Sequence, residues 1–416
     1  MLTGVYTFNF IDRQILVILQ ESIKKDLGLS DVHLGMLTGL TFALFYVTLG
    51  IPVARYADKN NRKNVVSVSL VIWSLMTAIS GLVNNFIQLL IARIGVGIGE
   101  AGGSPPSHSI VSDYYPPEKR ASALAIYSTG IYIGILFGYT LGGWIDANYG
   151  WRMAFFALGL PGVLYAIIVF FTVKEPTRGM SDKIKRPSTV LNPKDKSKQN
   201  DLGFVEVLSI LLKKKTFILL SLAGGFHTFV TYGVGNFFAP FLARVHLMDT
   251  ASIGAVLGPV VGFGGIIGTY AGGYLADKLG KKDIRWYLYV PLIAGLIVVP
   301  FSVLSFLHGN LTLVLACNAV ATLLTAVFLG PSLAVVHNLV DAHTRALASA
   351  VYFLVINLIG LGLGPLTIGY ISDILTSSYG AESLRWAFFF SFIPGTMALI
   401  LFWLASRTYT DEVAVL

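Results

Sequence analysis

The sequence predicts an all-α membrane protein of twelve transmembrane helices, arranged as two six-helix bundles related by pseudo-twofold symmetry. Three observations predict it. Of the 416 residues, 55% are hydrophobic and 12% charged, and mean hydropathy is +0.71. Soluble domains carry about 25% charged residues, so a water-soluble fold of this size would lack polar surface to cover itself. Twelve runs reach the roughly 20 apolar residues that a spanning helix needs. Finally, the two halves of the chain repeat one another.

The apolar runs lie at 2–20, 33–57, 64–84, 86–112, 121–145 and 151–173, then at 216–243, 251–276, 284–306, 311–338, 345–372 and 385–406. A polar, basic, Pro-interrupted stretch at 174–215 separates the sixth from the seventh. The chain therefore divides into an N-terminal bundle (1–173), a linker (174–215) and a C-terminal bundle (216–416). Inside the linker, FVEVLSILLKKK predicts a short amphipathic helix at the membrane surface, or an extension of the seventh helix. The chain starts within its first apolar run, which predicts a native tail ahead of it. The 43 glycines suit close helix approach. The fifth helix reads Gly130, Gly134, Gly138, then Gly142 and Gly143, and glycine at every fourth place makes one smooth face for packing. The only cysteine, Cys317, excludes an internal disulfide, and no Cys/His cluster has metal spacing. No metal and no cofactor is expected.

Orientation follows from Lys and Arg. The loops after the even-numbered helices, with the C-terminus, hold most of the 30 basic residues. The opposite loops hold only Lys24, Lys25, Arg152, Arg244 and Arg385, and Arg13 and Arg93 fall inside the membrane. This predicts a multi-pass protein of the cell's inner membrane with both termini and the linker cytoplasmic. The net charge of +8 follows from this asymmetry, and nucleic-acid binding is not needed to explain it.

The repeat is legible in three pairs: YADKNNRK with LADKLGKK, PEKRASALAIY with AHTRALASAVY, and GWIDANYGWRMAFF with GYISDILTSSYGAESLRWAFF. A parallel six-plus-six repeat with a basic linker is a known transporter plan, with the substrate site between the halves near the midplane. Here the sequence resembles the major facilitator superfamily. Gly50, Asp58, Lys59, Arg62 and Lys63 match its loop-two signature, with Asn61 where Gly is commoner, and Asp277, Lys278, Gly280, Lys281 and Lys282 form a weaker second copy. The resemblance implies gating roles for Asp58, Arg62, Lys63 and Asp277. Physically, a carboxylate at a helix end pairs with a guanidinium or bonds a neighbouring helix N-terminus. The alternative is that the basic residues only anchor topology.

Charge within the membrane is costly and usually faces a polar interior. Helix one carries Asp12 and Arg13, and helix four carries Arg93, Glu100 and His108. Arg93 and Glu100 are seven residues apart and share a face about 10 Å along the axis. Asp12 and Arg13 point about 100° apart, so one can face helix four and the other the cavity. In a dry site a nearby Arg lowers a carboxylate's proton affinity. A contact that changes between two conformations therefore couples protons to motion. This assigns proton coupling to Asp12 and Glu100 with Arg93 as modulator, and an anionic headgroup to Arg13. A buried network that only holds helices one and four together is the structural alternative. The C-terminal half offers His227, Thr231, Tyr232 and Asn236 on helix seven, a softer wall that suits an amphiphile.

NFIDRQILVILQESIKKDLGLSD and the helix-four to helix-five stretch beginning ARIGVGIGEAGGSPPSHS resemble the spinster-type transporters, which carry the Asp-Arg pair after an aromatic-Asn-aromatic approach, here Phe8, Asn9 and Phe10. What this implies is a proton-linked carrier of lysophospholipids or sphingosine-1-phosphate-like lipids, with Asp12, Arg13 and Glu100 as its centre and Phe8 against the substrate. The fifth-helix glycines, with Gly360, Gly364 and Pro365 on helix eleven, lean towards export. A proton-coupled antiporter of drugs or small organic anions is the alternative on the same fold. The partners expected are an amphiphilic lipid, protons and membrane lipids, with the protein acting as a monomer. An enzyme is not expected: His108 and Asp113 have the His-x-x-x-x-Asp spacing of some acyltransferases, a short and weak pattern.

Overall fold

The computed structural model describes residues 1–178, 180–183, 204–340 and 344–413. Twelve long helices run through it: α1 (Leu2–Ile18), α2 (31–59), α3 (Arg62–Leu82), α4 (Phe86–Tyr114), α5 (Pro117–Tyr149), α6 (Trp151–Thr172), α7 (Lys215–Val245), α8 (Thr250–Gly280), α9 (Trp286–Leu307), α10 (Leu311–Asn338), α11 (345–379) and α12 (383–413). Several outrun the apolar runs because their last turns are polar and leave the hydrocarbon. α1 has only 17 residues and continues through the short helix Gln20–Leu27. Large apolar side chains such as Ile91, Leu164, Phe171 and Ile267 stand exposed around the outside, where lipid covers them. The starts of the helices obey local rules. Asn61, Asn85, Asp249 and Asn310 accept the N–H bonds of the first turns of α3, α4, α8 and α10.

The ends of the helices define two faces, a linker face and a distal face. The largest apolar cluster lies towards the distal side and joins both halves, with Ile15, Leu19 and Ile145 meeting Phe241, Leu257 and Ile368. Towards the linker face each half keeps its own cluster, around Trp73 and Val169 in one and Leu220 and Tyr409 in the other. The halves touch mainly along two seams, α5 on α8 and α2 on α11, with smaller contacts of α1 and the helix Gln20–Leu27 on α7. The α5–α8 seam extends past mid-depth to the Tyr132–Thr269 hydroxyl pair at 2.5 Å.

The glycines of α5 serve packing. A Cβ at Gly130 would lie 2.6 Å from the Thr3 carbonyl oxygen, and one at Gly134 2.5 Å from that of Thr7. α1 therefore lies against α5 backbone to backbone, which fixes the height at which Asp12 and Arg13 enter the interior. Of the linker, the helix Phe204–Lys213 is described; it buries Leu211 against the C-terminal half and ends before α7 starts at Lys215. It is thus a separate helix, while 184–203 lies outside the described residues.

Candidate functional site

α1 carries Asp12 and Arg13 in opposite senses. Asp12 is fully buried inside the N-terminal half, where the Ser74 hydroxyl on α3 donates to its Oδ2 at 3.4 Å. Gly162 on α6 leaves room for that serine: a Cβ there would lie 2.9 Å from Ser74 Cβ. Arg13 turns to the interface between the halves. Its Nε and Nη2 donate to Glu100 Oε2 at 2.7 and 2.6 Å. Three aromatic rings flank the same guanidinium, with centroids at 5.0 Å (Phe10), 4.4 Å (Phe42) and 5.1 Å (Tyr46). The side chain of Glu100 is fully buried and that of Arg13 is 19% exposed, so the pair stands at the border between dry interior and cavity.

Arg93 is buried within electrostatic reach of both Asp12 and Glu100, but its hydrogen bond goes to backbone. Its Nη1 donates to the backbone carbonyl of Asp12 at 3.2 Å. The guanidinium on Glu100 is instead Arg13's, because helix spacing places Arg93 and Glu100 on one face but two turns apart, at different heights of α1. Among the described residues, Oδ1 of Asp12, Oε1 of Glu100 and Nε of Arg93 have no hydrogen-bond partner.

A small cavity of about 30 Å³ opens beside this pair. Phe10, Val17, Phe42 and Leu361 supply its apolar wall, while Arg13, Gln14, Thr38, Arg93, Tyr232 and Asn236 supply polar atoms. Of the residues expected on the substrate, Arg13, Tyr232 and Asn236 meet there. Phe8 does not: its ring packs on Tyr165 of α6 at 5.2 Å, because it projects one-third of a turn or more away from the Arg13 face. His227 and Thr231 lie off the lining too, since His227 bonds the Thr325 carbonyl oxygen at 3.0 Å and stacks on Phe328, and the Thr231 hydroxyl bonds the His227 carbonyl. Gln14, Thr38, Phe42 and Leu361 were not singled out by the sequence. Only Gln14, next to the Asp-Arg pair, carried a signal.

The signature residues at the linker face are tied within their own halves. Arg62 is buried and donates to Glu175 (2.7 Å), Asp113 (2.5 Å), Ser109 (2.7 Å) and the Pro176 carbonyl (3.0 Å). It thus joins the start of α3 to the ends of α4 and α6. Lys63 bonds the Phe170 carbonyl, and Asp277 accepts from the Tyr287 hydroxyl. The side chain of Asp58 lies outside the described residues. Asp113 is engaged by Arg62, and His108 stands edge-on to Tyr127.

The distal face is closed by ion pairs that the sequence did not signal. Arg244 at the end of α7 donates to Asp31 at 2.7 and 2.6 Å and to Glu21 at 2.7 Å. Lys24 and the Ser372 hydroxyl complete the shell of the fully buried Asp31, at 2.5 and 2.6 Å.

A profile of the Major Facilitator Superfamily matches residues 2–358. The chain belongs to the Major Facilitator Superfamily. It is of the spinster type within it. Two crystal structures of a bacterial homologue of the human lysosomal transporter Spinster superpose with TM-scores of 0.88 (inward-facing, unoccupied) and 0.85 (inward-facing, occupied), at 33% and 32% identity. Each covers 99% of this chain and 96% of the homologue. An MFS-type efflux pump of Mycolicibacterium smegmatis is 32% identical across 99% of this chain and 93% of its own length. A probable galactarate/D-glucarate transporter of Bacillus subtilis is 29% identical over 72% of this chain and 68% of its own. The family consists of transporters, so this is a membrane carrier.

Proposed function

We propose that this carrier moves an amphiphilic lipid with an anionic head, a lysophospholipid or a sphingosine-1-phosphate-like molecule, by proton-coupled alternating access. It acts as a single chain in the cell's inner membrane with both termini inside. The observation that carries the reading is the position of Arg13, shared between the buried Glu100 and a cavity with one apolar wall. A phosphate entering the cavity competes with Glu100 for the guanidinium fork. A carboxylate that loses its guanidinium in a dry site takes up a proton more readily. Headgroup binding and protonation of Glu100 thus favour each other, and Asp12, held to the same helix, is the second proton site. Arg93 holds the backbone between Asp12 and Arg13 and so sets both. Tyr232 and Asn236 present the C-terminal half to the substrate, which links binding to the movement of the halves.

The linkage sends substrate and proton the same way. Export, the direction in the printed name of the Mycolicibacterium relative, needs the opposite sign, and acidifying either side of proteoliposomes separates the two. The glycines of α5 carry no argument for direction, since packing on α1, and for Gly143 on α8, accounts for them. A second reading, a small organic anion such as an aldarate, is favoured by the Bacillus relative and by the polar lining from Gln14, Thr38 and Asn236. The test is a thermal-shift screen of lysolipids, sphingoid phosphates and galactarate at two pH values. Stabilisation by the lipids that grows at lower pH is expected. Stabilisation by galactarate alone would replace the lipid reading.

A further inference from the structure

The outer wall of α8 carries a stripe that neither the cavity nor the seams use. Phe263, Ile267, Tyr270, Tyr274 and Lys278 follow one another at intervals of three or four residues, so they lie along one side of the helix. All five are exposed, Tyr270 most of all at 75%. The opposite side of α8 is packed. A Cβ at Gly265 would lie 2.1 Å from the Tyr132 ring of α5, and one at Gly272 2.3 Å from the Val327 carbonyl oxygen of α10. The stripe therefore points away from the protein, into lipid.

Its chemistry changes with depth towards the linker face. Phe263 and Ile267 are apolar. Tyr270 and Tyr274 stack, with ring centroids 6.4 Å apart and planes 10° from parallel. Among the described residues they are the one stacked ring pair in which both rings are exposed. The ammonium of Lys278 stands 5.7 Å from the centroid of Tyr274, and the exposed Lys281 and Lys282 follow at the end of the helix. The nearby carboxylates are engaged elsewhere, Asp277 by the Tyr287 hydroxyl and Asp283 by Arg285. From Phe263 to Tyr274 the stripe spans about 16 Å, about the thickness of one hydrocarbon leaflet. An apolar length, a pair of rings at the level where aromatic belts sit and a cationic end match a phospholipid read from tail to head.

We propose that this stripe binds an anionic two-chain phospholipid of the linker-side leaflet. One acyl chain lies along Phe263 and Ile267, the two tyrosine rings flank the glycerol region, and the phosphate meets Lys278, with Lys281 and Lys282 adding attraction. Lysine stems run along apolar surface and carry their charge to the water boundary. Each basic group near an anionic surface strengthens binding roughly fivefold. A zwitterionic lipid has no net charge to answer these ammonium groups. The stripe shares no residue with the cavity beside Arg13, so the bound lipid is not the cargo and the site is independent of the cargo's identity. The rival account is diffuse attraction of lipid to the whole basic face.

Native mass spectrometry of the full chain in detergent, with dioleoyl phosphatidylglycerol and dioleoyl phosphatidylcholine as probes, gives the two affinities. Phosphatidylglycerol binds about tenfold or more tightly than phosphatidylcholine, from two or three basic groups at roughly fivefold each. Lys278→Gln lowers its affinity about fivefold, and K278Q/K281Q/K282Q abolishes the preference. Lys119→Gln, at an exposed linker-face lysine of the other half, leaves it unchanged, and so does Arg13→Ala. Equal binding of the two lipids by wild type overturns the site, as does a triple variant that keeps the preference. A loss in Lys119→Gln equal to that in Lys278→Gln overturns it in favour of diffuse attraction, and a loss in Arg13→Ala overturns it in favour of the cavity. Should the triple variant yield no folded protein, Lys278→Gln decides by itself: an unchanged affinity overturns the site, and a loss of about fivefold upholds it.

Discussion

Replacing Glu100 by glutamine removes the charge that competes for Arg13 while keeping the shape of the side chain. The bonds at stake are the two from Arg13 Nε and Nη2 to a carboxylate without solvent exposure. Hydrogen bonds to charged groups contribute about 1.5–3 kcal/mol each. The amide retains one acceptor oxygen, so the competing attraction falls by about 1.5–3 kcal/mol. An anionic headgroup then binds Arg13 about 10- to 100-fold more tightly than in wild type near neutral pH. In wild type the affinity rises as pH falls, by at most about tenfold per pH unit, because one proton on Glu100 frees one guanidinium. In Glu100→Gln that slope disappears, and proton-driven transport disappears with it. Calorimetry of a lysophospholipid and of an uncharged analogue at about pH 5.5 and about pH 7.5 measures both effects. Weaker headgroup binding in the variant at both pH values, or a pH slope that survives, would refute the competition for Arg13.

Four further outcomes follow from the same geometry. Asp12→Asn abolishes proton-driven uptake into liposomes while leaving the melting temperature within a few degrees, since the amide still accepts from Ser74; full coupling in that variant makes Asp12 structural only. Arg13→Ala weakens binding of phosphate-bearing lipid by about tenfold or more but barely affects uncharged analogues, and Arg13→Lys recovers only part, because a point charge lacks the two-pronged fork. Arg244→Gln leaves the fully buried Asp31 with Lys24 and Ser372 alone; breaking a buried pair costs about 3–5 kcal/mol, less here because Lys24 remains, and spin labels at K25C and S378C, across the distal mouth, move apart. Gly134→Leu sets a side chain where a Cβ is already 2.5 Å from the Thr7 carbonyl; the melting temperature falls by several degrees, as overpacking costs about 1–3 kcal/mol or more.

The number of helices, their order and the break into two halves follow from composition and repeat alone. Hydrocarbon tolerates only long apolar helices, and that constraint is written locally in every run. The chemical nature of the centre is equally legible, because Asp12, Arg13, Arg93 and Glu100 are too costly in a membrane to be there without a role. Which of them meet is not legible. Helix spacing places Arg93 and Glu100 on one face, but the height of α1 against α4 is set by glycine contacts with α5, and those put Arg13 on Glu100. Phe8 shows the same limit: adjacency to the Asp-Arg pair says nothing of which side of α1 faces the cavity.

The distal closure lay wholly beyond sequence reasoning. Asp31, Arg244 and Ser372 are ordinary loop and helix-end residues in the chain, more than 100 positions apart from one another. Sequence patterns report what one helix wants from lipid or from its own backbone. Contacts between helices from different halves depend on how two rigid bundles meet, and only the packed structure contains that distance.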